Sequence, residues 1–368
     1  EEVANGQSRL NYPMIDGKVV GCPHHILEPQ RINLLPYSEF YGSGSGWSKL
    51  ADVSTTDNAI ISPDGTLNAS LITLSGSGTY TQFYRVVSTT GSKQVISAFV
   101  KYISGSGTGL RLSKSSNASN GINLEFSNNG ETLTGTTGAN VDSYKIEDYG
   151  NKWFRVSIVL DSSSSSFEYN LYRYSGTGTD VYAIWGLQLE GNSSYPTSYI
   201  KSNGSPTTRQ AETANGSGDA ATFNDSEGVL MAEISALADD SSLRTITLGD
   251  NSSSNAVSIR YDNPNNITLY LNSGGASQCS FAANVPTLLF SKCLIKYKAN
   301  DFSAWVNGFQ IGTDTNGIVF PSGTLDRINF DIGYTSTNPF YGNTKQLQYY
   351  NSALTDSELE QLTSWTSF

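Results

Sequence analysis

The sequence predicts an all-β fold: two tandem antiparallel β-sandwiches behind an N-terminal extended segment, with a short C-terminal helix. Three observations predict it. Short runs in which β-branched and aromatic residues alternate with polar ones recur along the chain, separated by clusters of Gly, Ser, Asn and Asp, the pattern of half-buried strands joined by turns. Helix signals are nearly absent until the C-terminal end. The strand pattern also stops at a polar stretch, 203–219, holding Gly204, Pro206, Gly216 and Gly218, and then starts again. The chain therefore divides into an extended segment (1–30), a first sandwich (31–202), a linker (203–219) and a second sandwich (220–368), and its 368 residues are enough for each sandwich to bury a core.

In the first sandwich the clearest strands are 80–87, 94–102, 122–126, 153–160, 167–174 and 181–189. In 153–160 the period of two puts Phe154, Val156, Ile158 and Leu160 on the core face and Trp153, Arg155 and Ser157 on the other. The low-complexity spacers, such as Gly42-Ser-Gly-Ser-Gly46 and Ser104-Gly-Ser-Gly107, lie inside this alternation and read as hairpin loops. After the linker come strands 228–235, 244–248, 256–261, 267–271, 288–298, 302–306, 309–311 and 327–332. Asn307-Gly308 between two of them is a strong two-residue hairpin signal. Residues 355–365 form the one helix, because Thr355 caps it, Glu358 completes a capping box, and Leu359 and Leu362 make an apolar edge.

Charge and sulfur narrow the function classes. Lysine plus arginine number 22 against 33 aspartate plus glutamate, a net charge of −11. The acidity is concentrated at residues 203–368, with 8 basic against 16 acidic side chains, whereas 31–202 holds 12 against 13. Such a chain lacks the positive footprint that phosphates require, so nucleic acid is excluded as a partner. No apolar run is long enough to insert in a membrane. The first residues, Glu1-Glu-Val-Ala4, have neither an initiating Met nor the regions of a signal peptide, so the chain reads as a fragment or processed form. The 3 cysteines are too few for a disulfide framework and lack zinc spacing. Cys279 and Cys293, near consecutive strands, are a disulfide candidate, with Cys22 as a free thiol.

Several phrases resemble a known family. Gln7-Ser-Arg-Leu-Asn-Tyr12, Ile26-Leu-Glu-Pro-Gln-Arg31, Asn33-Leu-Leu-Pro-Tyr-Ser38 and then Ile184-Trp-Gly-Leu-Gln-Leu-Glu190 with Thr197-Ser-Tyr-Ile200 resemble modules of phage and prophage tail or appendage proteins. Residues 203–368 resemble a concanavalin A-like, laminin-G-type jelly roll through Ile295-Lys-Tyr297, Asn300-Asp-Phe302, Trp305-Val-Asn-Gly308 and Leu354-Thr-Asp-Ser-Glu-Leu359. The resemblance implies tandem lectin-type jelly rolls, the first like a carbohydrate-binding module. It implies recognition of a cell-surface glycan or host receptor, on a virion spike or fibre, extracellular after release, in contact with other virion subunits. It also implies a homo-oligomer, for which a trimer is the first choice. The competing readings are a structural decoration or assembly protein without glycan binding, and a polysaccharide-degrading enzyme.

The residues themselves give no catalytic machine. The only histidines, His24 and His25, are adjacent beside Cys22 without a second ligand cluster, and neighbours on an extended chain point to opposite sides. Glycoside hydrolysis needs two carboxylates about 5 to 10 Å apart. The pairs Glu147-Asp148, Asp239-Asp240, Asp326 with Asp331, and Glu358 with Glu360 do not have a strand spacing that would present them together. We therefore expect no enzyme. Sugar binding asks only for a flat aromatic face and hydrogen-bonding side chains. The candidates are Trp153, Arg155, Tyr172 and Tyr174 in the first sandwich and Arg260, Asp262, Asn263 and Asn266 in the second. No cofactor is required; Asp314-Thr-Asn316 is the candidate calcium loop, being rich in the hard oxygen donors that calcium takes.

Overall fold

Four antiparallel sheets and a small two-stranded one hold the strands of the computed structural model, which describes every residue except 1–5, 13, 16–17, 20, 51, 76–80, 107, 162, 263 and 366–368. The chain is all-β with one short α-helix, Asp356–Thr363, as the sequence predicts. It separates into two compact units, one of Pro13–Gly21 with Gln30–Arg209, the other of Glu1–Tyr12, Cys22–Pro29 and Gln210–Phe368.

In the first unit the six-stranded sheet runs Thr132–Thr137, Gly121–Ser127, Thr108–Lys114, Ser166–Arg173, Gln82–Ser88, Ser48–Lys49. The eight-stranded sheet is centred on Lys93–Ser104, flanked by Phe154–Asp161 and Asp180–Gly191. Side chains of both sheets meet in one core that includes Ile96, Val100, Leu110, Leu112, Phe154, Val156, Ile158, Leu160 and Leu171. The face assignment in 153–160 is therefore the observed one. At the edge of this core the guanidinium of Arg173, with no exposure, meets the buried carboxylate of Asp180 at 2.8 Å.

The opposite face of the eight-stranded sheet is buried as well. Thr197-Ser-Tyr-Ile200 lies across it: Glu190 accepts hydrogen bonds from the Thr197 amide at 3.1 Å and hydroxyl at 2.7 Å, and Gln188 accepts from the Ile200 amide at 2.6 Å. Asn33 completes the clasp, donating to the carbonyls of Leu187 and Ile200 and accepting from the amides of Leu35 and Leu189. Glu190, Gln188 and Asn33 have no exposure. The phrases that carry the resemblance thus lock one another together, because buried polar groups must find partners inside the fold.

The second unit has a seven-stranded sheet, ordered Arg9–Asn11, His24–Leu27, Gly342–Tyr350, Glu227–Ala236, Ser291–Lys298, Phe302–Val306, Phe309–Asp314. Its five-stranded partner is ordered Ala276–Asn284, Asn266–Ser273, Ala256–Tyr261, Arg244–Gly249, Arg327–Asn329. Part of the N-terminal segment is thereby built into this sandwich: His24–Leu27 pairs with Gly342–Tyr350, and Leu27 joins the core. Arg9 bridges the buried carboxylates of Glu28 and Glu212 beside it. Asn307 and Gly308 both take positive φ, 51° and 86°, as a type I′ turn requires. Thr355 caps the helix with its capping box in place, and Leu359 is buried against Leu294 and Trp305.

The disulfide expectation is corrected. Cys279 and Cys293 are both free and buried. Their strands follow one another in sequence but belong to opposite sheets, and Cys293 donates to the Ala232 carbonyl at 3.4 Å instead. Burial pushes both thiols up to about 12. Cys22 is an exposed free thiol.

Candidate functional site

The strongest cluster lies on the outer face of the six-stranded sheet. In Ser166–Arg173, Tyr169 and Leu171 point into the core, so Asn170 and Tyr172 take the opposite face. The same alternation in Thr108–Lys114 buries Leu110 and Leu112 in the core and turns Arg111 and Ser113 outward. Register then aligns a row across the sheet, Thr136–Asn123–Arg111–Tyr172–Gln82, with Ser113–Asn170–Tyr84 beside it.

These side chains hold one another in place. Arg111 donates from Nε to the Asn123 Oδ1 and from Nη1 to the Tyr172 hydroxyl at 2.8 Å. Its guanidinium carbon lies 5.6 Å from the Tyr172 ring centroid and 5.2 Å from that of Tyr174, within cation–π range. The Tyr174 hydroxyl donates to Glu125 at 3.3 Å, and burial followed by that carboxylate's charge holds its pKa above the ordinary tyrosine value. Asn170 donates to Glu168 at 2.9 Å, yet its Oδ1, wholly buried, has no partner among the described residues. An unmet acceptor on the floor of a polar and aromatic face is costly unless something docks there.

The predicted residues are distributed unevenly. Tyr172 and Tyr174 belong to this cluster, although Tyr172 is buried as its floor and only Tyr174 is half-buried. Trp153 and Arg155 lie on the other sheet. Trp153 is buried, donates from Nε1 to the Ile61 carbonyl at 3.3 Å, and walls a cleft of about 520 Å3 with Ile60, Lys101, Tyr149 and Asn151. The expected open outer face at Arg155 is corrected: its guanidinium is buried, donating to the Thr197 carbonyl at 2.6 Å beneath the clasp.

In the second sandwich Arg260, Asp262, Thr268 and Tyr270 share the outer face of the five-stranded sheet. Arg260 donates to Asp262 and stands 4.9 Å from the Tyr270 centroid, and Asp262 also accepts from Thr268. Asn266 closes the turn by accepting the Asp262 amide at 3.2 Å through its carbonyl; Asn263 lies outside the described residues. At the calcium candidate, Asp314 accepts the Asn316 amide at 2.9 Å, a local turn, and among the described residues no three His, Cys, Asp or Glu side chains converge on a metal position.

The carboxylate pairs considered for hydrolysis are engaged locally. Glu147 pairs with Lys145, Asp240 with Arg244, and Asp326 with Arg327. Asp331 accepts from Asn215 and the Gly333 amide, while Glu358 serves the helix cap. Sequence reasoning missed Arg111, Asn123 and Asn170. The signal for the first was Leu110-Arg-Leu-Ser113, an alternation hidden by the Gly and Ser around it.

Residues 232–360 match the family described as concanavalin A-like lectin/glucanases superfamily. Among solved structures, the chain is similar to a carbohydrate-binding module of the Ruminococcus gnavus IT-sialidase, with 16% identity over 41% of this chain and 94% of that one, TM-score 0.35. It is similar also to the SAP-like pentraxin of Limulus polyphemus, with 13% identity over 38% and 70% of the two chains, TM-score 0.32. A toad ovary galectin has 8% identity over 37% and 97%, TM-score 0.26. No curated protein matches the chain in sequence.

Proposed function

We propose that the chain is a non-catalytic glycan-recognition protein and that the outer face of the six-stranded sheet is its binding surface. The carrying observation is the unmet, buried Oδ1 of Asn170, which lies between Ser113 and Tyr84 across the sheet and beside the row of Arg111 and Tyr172. A sugar hydroxyl supplies the missing donor, and the half-buried rings of Tyr84 and Tyr174 offer apolar faces to pyranose C–H groups. Rigid aromatic and amide side chains on strands limit the ordering cost of binding. The lectin-type family match in the second sandwich supports the same class. A glycan array probed with the full chain tests this. Tyr84→Ala and Asn170→Ala are expected to lose binding and Arg260→Ala to keep it. Absence of binding to any glycan, or undiminished binding by both first-sandwich variants, overturns the proposal.

We further propose that this recognition operates on an extracellular, phage-like virion appendage, in a homo-oligomer with the trimer favoured. The tail-protein resemblance of the interlocked phrases supports the setting. Weak single sites gain a factor of roughly 10² to 10⁴ from multivalency, which supports the assembly. Light scattering that finds a monomer at high concentration would remove the oligomer from this reading.

A further inference from the structure

We infer that the glycan received by the six-stranded face carries a carboxylate, as in a uronate or nonulosonate residue, and that Arg111 binds it. The inference rests on the glycan-binding reading of that face and deepens it.

Arg111 is only 7% exposed, and a guanidinium that far out of water ordinarily has a carboxylate or a full set of acceptors against it. Two of the other deeply buried arginines do: Arg173 meets Asp180 at 2.8 Å and Arg244 meets Asp240 at 2.8 Å, whereas Arg155 has only the neutral Ser97 hydroxyl and Thr197 carbonyl beneath the clasp. Arg111 has two neutral side-chain acceptors, Asn123 on Nε and Tyr172 on Nη1, and its Nη2 has no hydrogen bond among the described residues. The two tyrosine rings offset part of the charge without neutralising it. The cation is therefore held rigid, with the Nη2 edge left open, which suits a planar carboxylate.

Two acidic groups share this face, and they limit what kind of anion fits. Glu125 is exposed and accepts the Tyr174 hydroxyl; Glu168 is half-buried and accepts the Asn170 amide. Both oppose a densely charged sulfated or phosphorylated chain. A single carboxylate at Arg111, with neighbouring hydroxyls at Asn170 and Tyr84, meets less repulsion from the two glutamates than a chain of sulfates or phosphates does.

The test is titration calorimetry of the full chain with matched probes: oligogalacturonate and sialyllactose, each against its carboxyl-reduced form, and a heparin oligosaccharide. At least tenfold tighter binding of one carboxylated probe than its reduced form is expected, with heparin weak. Arg111→Gln should erase that preference and keep weak binding of the reduced probe. Glu125→Gln, at an exposed position, should strengthen carboxylate binding a few-fold, which checks the inference even if the arginine variant misfolds. Equal binding of a pair by the unaltered protein, a preference that survives Arg111→Gln, or a Glu125→Gln variant with no gain each overturns the carboxylate assignment alone. Loss of all glycan binding by the unaltered protein overturns the glycan reading itself.

Discussion

Each sandwich sets an arginine over a tyrosine on the outside of one sheet, and the two arrangements differ in what neutralises the cation. In the second sandwich Arg260 is satisfied within its own strand by Asp262, which in turn takes the Thr268 hydroxyl. In the first, Arg111 has only Asn123 and Tyr172 as hydrogen-bond partners among the described residues, and a buried acceptor at Asn170 is left open nearby. The same ingredients make a closed surface in one case and a receptive one in the other. The sandwiches also close differently: the second takes strands from both ends of the chain, whereas the strands of the first all come from within Gln30–Arg209.

Separating the sandwiches gives the largest expected effect. Residues 203–368 alone lack strand His24–Leu27, so Gly342–Tyr350 becomes an edge and the core loses Leu27. Glu212, buried, also loses Arg9. Loss of a buried leucine side chain alone costs about 2–5 kcal/mol, against roughly 5–15 kcal/mol for a whole domain. Thermal melts should be cooperative for residues 13–209 and broad or absent for 203–368. A sharp transition in the shorter C-terminal piece would show that the added strands are dispensable.

The next effect contrasts two ion pairs. Asp180→Ala strands the unexposed Arg173 and should cost about 3–5 kcal/mol. Asp262→Ala frees an Arg260 whose side chain is 27% exposed and should cost no more than about 1 kcal/mol. Urea unfolding followed by hydrogen exchange assigns each loss to its sandwich, and comparable losses would contradict the difference in burial.

These contrasts also mark what was legible in the sequence. Strands with an apolar face, such as Phe154–Asp161 and Ala256–Tyr261, were plain, and so were the Asn307-Gly308 turn and the helix cap. Ala276–Asn284 and Gly342–Tyr350 were not. The first is rich in small residues and the second in polar ones, because a strand whose partners supply the core needs few large apolar side chains of its own. Tyr172 and Tyr174 could be placed on one face by alternation. The row that gives that face its chemistry depends on register between strands distant in sequence, and local periodicity carries no register.

Alkaline pH should separate the sandwiches by sulfur. Cys279 and Cys293 sit in the second core, pushed up to about 12 by burial from an ordinary value of 9.0. A raised folded pKa contributes stability that is intact below pH 9 and is lost as pH rises toward 12, at most ~1.4 kcal/mol per pH unit for each thiol. The first core contains no cysteine; its raised groups are tyrosines such as Tyr41 and Tyr169, whose ordinary value is 10.0, so its loss begins about a unit later. Urea midpoints at pH 8, 9.5 and 10.5 should fall first for the second sandwich, and Cys279→Ala with Cys293→Ala should remove the lead. In native protein at pH 8 only Cys22 should react quickly with a thiol reagent.

The smallest effect tests the helix, which has no α-helical counterpart among the described residues of the first sandwich. Thr355 accepts the Glu358 amide at 3.4 Å, and the Glu358 carboxylate accepts the Thr355 amide at 2.8 Å and hydroxyl at 2.7 Å. Thr355→Ala removes the side-chain half of this box and should cost about 1 kcal/mol, since one amide of the first turn loses its protein partner to water. The hydroxyl holds the Glu358 carboxyl below its ordinary range, so the cap is present above pH 4.5 and lost as pH falls through the lowered value. The helix keeps Leu359 buried on the outside of the seven-stranded sheet, against Leu294 and Trp305. Weakening the cap should therefore raise hydrogen exchange in Asp356–Thr363 and redden Trp305 fluorescence, while binding on the six-stranded face stays unchanged. A variant that alters glycan affinity would mean that the helix influences a site the fold assigns wholly to the other sandwich.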